Sequence, residues 1–146
     1  MLSPWICLFF LSPLAVASSA CRNEGPTART LNGTYEGIYL PGMDQEVFLG
    51  IPYALPPTSG LRYRPPHHLN TTWTGARNAT ALPNACPQYP LSDGITEQGV
   101  QMDEDCLALN IYKPAGDVAG LPVLVWIHGG SYQNVSFAKQ RRDTSY

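Results

Sequence analysis

Residues 121–132 read Leu121-Pro122-Val123-Leu124-Val125-Trp126-Ile127-His128-Gly129-Gly130-Ser131-Tyr132. The run from Leu121 to Ile127 is apolar throughout and partly β-branched, the pattern of a strand covered on both faces in the middle of a sheet. Side chains then shrink at Gly129 and Gly130, where the chain leaves the strand. Glycines at such an exit either make a tight turn or let backbone N–H groups approach a ligand closely. Paired N–H donors at a strand exit are what stabilise the oxyanion of a tetrahedral intermediate in acyl transfer.

Upstream, Leu107-Ala108-Leu109-Asn110-Ile111-Tyr112 places Leu107, Leu109 and Ile111 on one face at period two, predicting a strand with one well-buried side. Lys113-Pro114-Ala115-Gly116-Asp117 turns the chain after it. Five acidic side chains, Asp93, Glu97, Asp103, Glu104 and Asp105, mark the stretch before it as a solvated loop. Pro52 to Pro66 contains five prolines and the basic pair Arg62 and Arg64, so it reads as ordered loop rather than sheet. Thr34–Leu40 and Glu46–Ile51, separated by Pro41-Gly42, read as a hairpin.

The 146 residues carry 9 Lys+Arg against 11 Asp+Glu, a formal net charge of −2, which points away from nucleic acid and acidic membranes. Charged residues are 14%, and 13 Gly and 14 Pro make the chain turn-rich. Residues 1–20 hold no charged side chain. Their apolar core, Trp5 to Leu11, is too short to span a bilayer and is followed by small residues at Ala15–Ala20, so residues 1–20 read as a secretory signal peptide and the protein as secreted. In that setting Cys21, Cys86 and Cys106 are thiols that pair, and no Cys-x-x-Cys with distant histidines supports zinc. Cys86 with Cys106 is the natural disulfide, closing a loop of about 20 residues for roughly 3 kcal/mol, with Cys21 left over. Four N-glycosylation sequons, at Asn32, Asn70, Asn78 and Asn134, agree with export and are expected on exposed loops or edges.

Several separated stretches together resemble the amino-terminal part of the type B carboxylesterases, the family that includes cholinesterases and fungal lipases. They are Phe48 to Ala54 with Pro56-Pro57, Leu61 to Pro66, Trp73-Thr74-Gly75 with Asn78-Ala79-Thr80, Cys86-Pro87-Gln88, Glu104-Asp105-Cys106-Leu107-Ala108-Leu109-Asn110, and Pro122 to Gly130. The resemblance implies an α/β fold: the amino-terminal portion of an α/β-hydrolase, with a β-hairpin and the first strands of the central sheet. Residues 21–146 are then a truncated amino-terminal part of that domain. It implies the Cys86–Cys106 disulfide and a salt bridge between Arg62 and Glu104. It also implies oxyanion donors at the backbone N–H groups of Gly130 and Ser131, with Gly129 permitting the turn. His128 is a strand-end residue and not the catalytic base.

A serine esterase further needs a nucleophile, usually in Gly-x-Ser-x-Gly, followed by an acid and a histidine. The 146 residues contain no such pentapeptide, and their histidines are His67, His68 and His128. The chain is therefore expected to be inactive alone, its catalytic residues lying in sequence beyond it. Val123, Val125 and Trp126 are expected to lack cover, so that the isolated chain aggregates or stays partly unfolded. The full-length protein takes a small-molecule ester substrate. No cofactor, metal, nucleic acid, transmembrane segment or partner protein is implied. Two other readings stand beside this one: a non-catalytic cholinesterase-like adhesion protein, and a non-functional truncated product.

Overall fold

The structure, a computed structural model, describes residues 25–88 and 100–129. The leader over 1–20, Cys21, Asp93, Glu97, Gly130, Ser131 and Asn134 lie outside the described residues. Among those described, strands β1 (Thr27–Arg29), β2 (Thr34–Glu36), β3 (Ile38–Leu40), β4 (Gln45–Pro52), β5 (Ala76–Asn78) and β6 (Ala108–Pro114) form two three-stranded sheets, ordered β1-β2-β5 and β3-β4-β6. β2 runs antiparallel to β1 and parallel to β5, while β4 runs antiparallel to both β3 and β6.

The hairpin across Pro41-Gly42 is present, with Ile38 opposite Val47 and Leu40 opposite Gln45. Its first arm is shorter than the β-prone run Thr34–Leu40 predicts, because that run is cut at Gly37 and its first half joins the other sheet. The reason is steric. A Cβ on Gly37 would lie 2.4 Å from the Val47 carbonyl oxygen and 2.8 Å from the Phe48 ring, so only glycine lets the chain cross β4 there. Thus one residue turns a single predicted strand into the link between two sheets.

β4 is held on both edges. Its pairing with β6 slips between Phe48 and Ile51, an extra residue on the β4 side, and Gly50 takes φ +69° in that bulge. The bulge leaves the Gly50 N–H without a ladder partner, and the Asn110 side-chain oxygen accepts it at 2.9 Å. The Leu49 N–H donates to the Ala79 carbonyl and the Ala79 N–H to the Glu36 carbonyl, both at 2.7 Å. Ala79 therefore sits between the sheets, packed with Tyr35 and Phe48 at the centre of the core. Trp73 closes it from one side: its indole N–H donates to the Thr34 carbonyl at 3.0 Å, and its ring meets Tyr35 edge-on at 5.1 Å. The Arg77 guanidinium covers the outer face of the indole at 4.0 Å.

Two expectations need correction. β6 pairs as a strand, but Ala108 is its buried residue and Ile111 is exposed. Being an edge strand, β6 is covered on fewer sides than a central one. Leu121–Ile127 is no strand at all, and Val123, Leu124 and Ile127 are 87%, 94% and 84% exposed. An apolar run becomes a strand only when a neighbour accepts its backbone hydrogen bonds, and no described strand adjoins this one. The expectation that Val123, Val125 and Trp126 lack cover agrees with what is seen. Tyr53 to Pro66 is ordered chain outside the sheets, with one short 3-10 turn at Ser59–Leu61.

Candidate functional site

The most elaborate local construction joins three segments distant in sequence. Ala85 bridges Met102, with its N–H on the Gln101 carbonyl at 2.8 Å and its carbonyl accepting from the Asp103 N–H at 3.0 Å. That contact sets Cys86 beside Cys106, and the two form a disulfide with Cα atoms 5.1 Å apart. Between them in space, the Asp103 carboxylate accepts the Asp105 N–H at 2.8 Å, and the Glu104 carbonyl accepts the Cys106 N–H at 3.0 Å. This tight turn projects the Glu104 side chain toward Arg62.

Arg62 meets Glu104 as a fork: Nε donates to Oε1 and Nη2 to Oε2, the latter at 2.6 Å. These hydrogen bonds, with the opposite charges adding to them, hold the Glu104 carboxyl below its ordinary range and push Arg62 up. The side chains stay 50% and 34% exposed, so water screens the pair. Its contribution is orientation. It ties the proline-rich loop to the disulfide-closed loop, from which β6 runs on toward Leu121–Gly129.

Of the proposed oxyanion residues only Gly129 is described. It and His128 are exposed, the imidazole Nδ1 lies 3.0 Å from the Gly129 carbonyl oxygen, and a Cβ built on Gly129 would meet nothing within 4 Å. The structure thus brings together Cys86 with Cys106 and Arg62 with Glu104, and leaves Gly129 uncovered. The direction of the Gly130 and Ser131 amides lies outside the described residues.

The described sequons differ from one another. Asn70 and Asn78 are exposed, and the Asn78 side-chain oxygen accepts the Thr80 N–H at 3.0 Å and the Thr80 hydroxyl at 2.5 Å. Asn32 is half-buried, and its Nδ2 donates to the carbonyls of Leu69 at 3.1 Å and Thr71 at 3.0 Å. Sequence reasoning missed Asn110 as the residue that satisfies the bulge. An asparagine inside a run otherwise suited to a strand is the signal that points to such a role, since its side chain fits a pleated surface poorly. Among the described residues, no group of three or more His, Cys, Asp or Glu is placed to hold a metal ion, and no helix is long and apolar enough to cross a membrane.

Residues 24–145 match the model of the carboxylesterase family. The chain belongs to that family. It is 39% identical over 132 residues to acetylcholinesterase from Gallus gallus, covering 83% of this chain and 17% of that protein. Cocaine esterase from Oryctolagus cuniculus is 42% identical over 121 residues, 74% of this chain and 23% of that one. Carboxylesterase 1E from Mus musculus is 39% identical over 142 residues, 82% of this chain and 25% of the mouse protein. A solved PNB esterase superposes with a TM-score of 0.63 at 32% identity, covering 75% of this chain and 21% of the other. The fold is therefore the amino-terminal portion of an α/β-hydrolase, and this carboxylesterase-family chain spans a quarter or less of these relatives.

Proposed function

We propose that this chain is the exported amino-terminal part of a serine carboxylic-ester hydrolase, and that it is inactive by itself. The carrying observation is the match across residues 24–145, because it includes the stretch His128-Gly129-Gly130-Ser131 in a family whose named relatives are esterases. In the complete enzyme the Gly130 and Ser131 N–H groups donate to the oxygen that gains negative charge when a serine hydroxyl attacks an ester carbonyl. The Gly129 backbone provides the turn that aims them. Losing one such donor lowers kcat about 10²- to 10³-fold. The serine, its acid and its histidine are supplied by sequence beyond these 146 residues, and without that base and nucleophile the donors alone accelerate little. Residues 1–20 direct export, and the sequons at Asn32, Asn70, Asn78 and Asn134 are the candidate glycan acceptors.

The test has two parts. Sequencing the transcript through the codon for Tyr146 is expected to find an in-frame continuation encoding Gly-x-Ser-x-Gly. The 146-residue chain is expected to show neither turnover of a short-chain nitrophenyl ester nor labelling by a phosphonate serine probe. Stoichiometric labelling of any serine within the chain overturns the reading. A continuation with glycine in place of the nucleophile replaces it with an adhesion protein, and a stop codon directly after Tyr146 replaces it with a non-functional short product.

A further inference from the structure

The sequons at Asn32 and Asn70, on adjoining segments, are unequal, and the inequality has a geometric cause. Asn32 sits in the connection between β1 and β2, where its side-chain amide reaches across to the segment 69–73 and donates one hydrogen to the Leu69 carbonyl and the other to the Thr71 carbonyl. Both neighbours are acceptors and the amide has two hydrogens, so its donor capacity is spent. The Asn32 carbonyl accepts the Trp73 N–H at 3.0 Å, and Thr30 and Gly33 close the turn through a 2.8 Å backbone bond. Beside it, a Cβ on Gly33 would lie 2.4 Å from the Trp73 indole, so the turn packs directly against that ring. Asn32 therefore grips the chain on both sides of Asn70, whose own side chain is exposed.

N-glycosylation joins Nδ2 to the first carbon of an activated, pyrophosphate-linked sugar: the bond from that carbon to the pyrophosphate oxygen breaks, the pyrophosphate leaves, and one of the two amide hydrogens departs as a proton. That carbon takes the direction of the lost hydrogen, which at Asn32 already holds a carbonyl oxygen at 3.0 or 3.1 Å. The sugar and the clamp cannot occupy the same place. No such conflict exists at Asn78, whose described hydrogen bonds are made by its oxygen and leave the nitrogen to solvent. The geometry points to a division of labour: Asn70 and Asn78 carry glycans, whereas Asn32, despite its sequon, stays unmodified and serves as the clamp that presents Asn70. This assignment rests on the proposed export of the chain.

Glycan mapping tests it on the complete protein, these 146 residues with the continuation proposed above, produced in cells with a secretory pathway, with an amidase that converts each occupied asparagine to aspartate in heavy-oxygen water. Occupancy at Asn32 is expected to be several-fold lower than at Asn70, because transfer to Asn32 must displace one of two hydrogen bonds, one half-buried and one exposed. Equal occupancy overturns the assignment and leaves export standing, whereas no glycan at any sequon removes export and the assignment together. Two substitutions separate clamp from acceptor, because both erase the sequon. Asn32→Gln is expected to speed amide exchange through Leu69–Trp73, and Thr34→Ala to leave it unchanged, with the glycan number constant in both. The same response from the two variants, or loss of a glycan in either, refutes the clamp.

Discussion

Val47–Ile51 in β4 and residues 121–127 are both predominantly apolar runs, yet the first lies in the best-buried strand among the described residues and the second is exposed from end to end. Composition alone ranks them the wrong way round, since 121–127 is apolar at every position whereas β4 also carries Gln45 and Glu46. β4 is hydrogen-bonded on one edge to β3 and on the other to β6, and its Phe48 packs with Tyr35 of the second sheet and with Ala79 between the sheets. Leu121–Ile127 has no described neighbour in either role. Hydrophobicity thus measures what a segment gains once covered, and the cover itself must come from elsewhere in the chain.

The comparison can be broken most forcefully at Phe48. Truncation by Phe48→Ala is expected to cost about 3–5 kcal/mol, since the ring is 3% exposed and stands where the two sheets meet. Loss of amide-exchange protection across β2 and β4 reads it, and retained protection in both would mean the sheets are independent. Removing the disulfide by Cys106→Ser is expected to cost about 3 kcal/mol and to loosen the Arg62–Glu104 fork, which protease sensitivity of the proline-rich loop would reveal. Third in size is Asn110→Ala, which leaves the Gly50 amide unpaired at about 1–3 kcal/mol. Faster exchange should be confined to the bulge; a change spread evenly over both sheets would contradict that role.

Glu46 gives a smaller effect with a definite sign. Hydrogen bonds from Lys113 Nζ at 2.5 Å and from the Gly116 N–H at 3.0 Å hold its carboxyl below the ordinary carboxylate range. A folded-state value below the unfolded one stabilises fully above the unfolded value, and that stability is lost as pH falls through the folded value. Glu46→Gln should therefore lower stability at neutral pH by under about 1 kcal/mol and match the parent in acid. A difference that persists in acid would assign the effect to packing. The smallest change is expected in the second region: Val125→Ser should alter stability by no more than about 0.5 kcal/mol and make the chain more soluble. A large loss there would show that the segment is buried after all.

How much of this was legible beforehand follows the distance over which each feature is encoded. Pro41-Gly42 announces the β3–β4 hairpin within a few residues. The Arg62–Glu104 pair spans 42 positions and has no local signature, so only family resemblance points to it. Trp73 as the lid on Tyr35, Gly37 as the crossing point and Asn32 as a clamp have no periodic pattern, because each is defined by atoms brought from another segment. Asn32 in particular reads as a sequon, and only its two carbonyl neighbours show what its amide does.

From the sequence alone came membership of the fold class, the hairpin and the disulfide partners, all features written in short motifs or in the spacing of side chains along one segment. Tertiary structure alone decided that Thr34–Leu40 divides between two sheets, that Asn110 completes the β4 bulge, and that Leu121–Ile127 forms no strand. The reason is that a backbone hydrogen bond or a buried face has two sides, and a local pattern describes one of them.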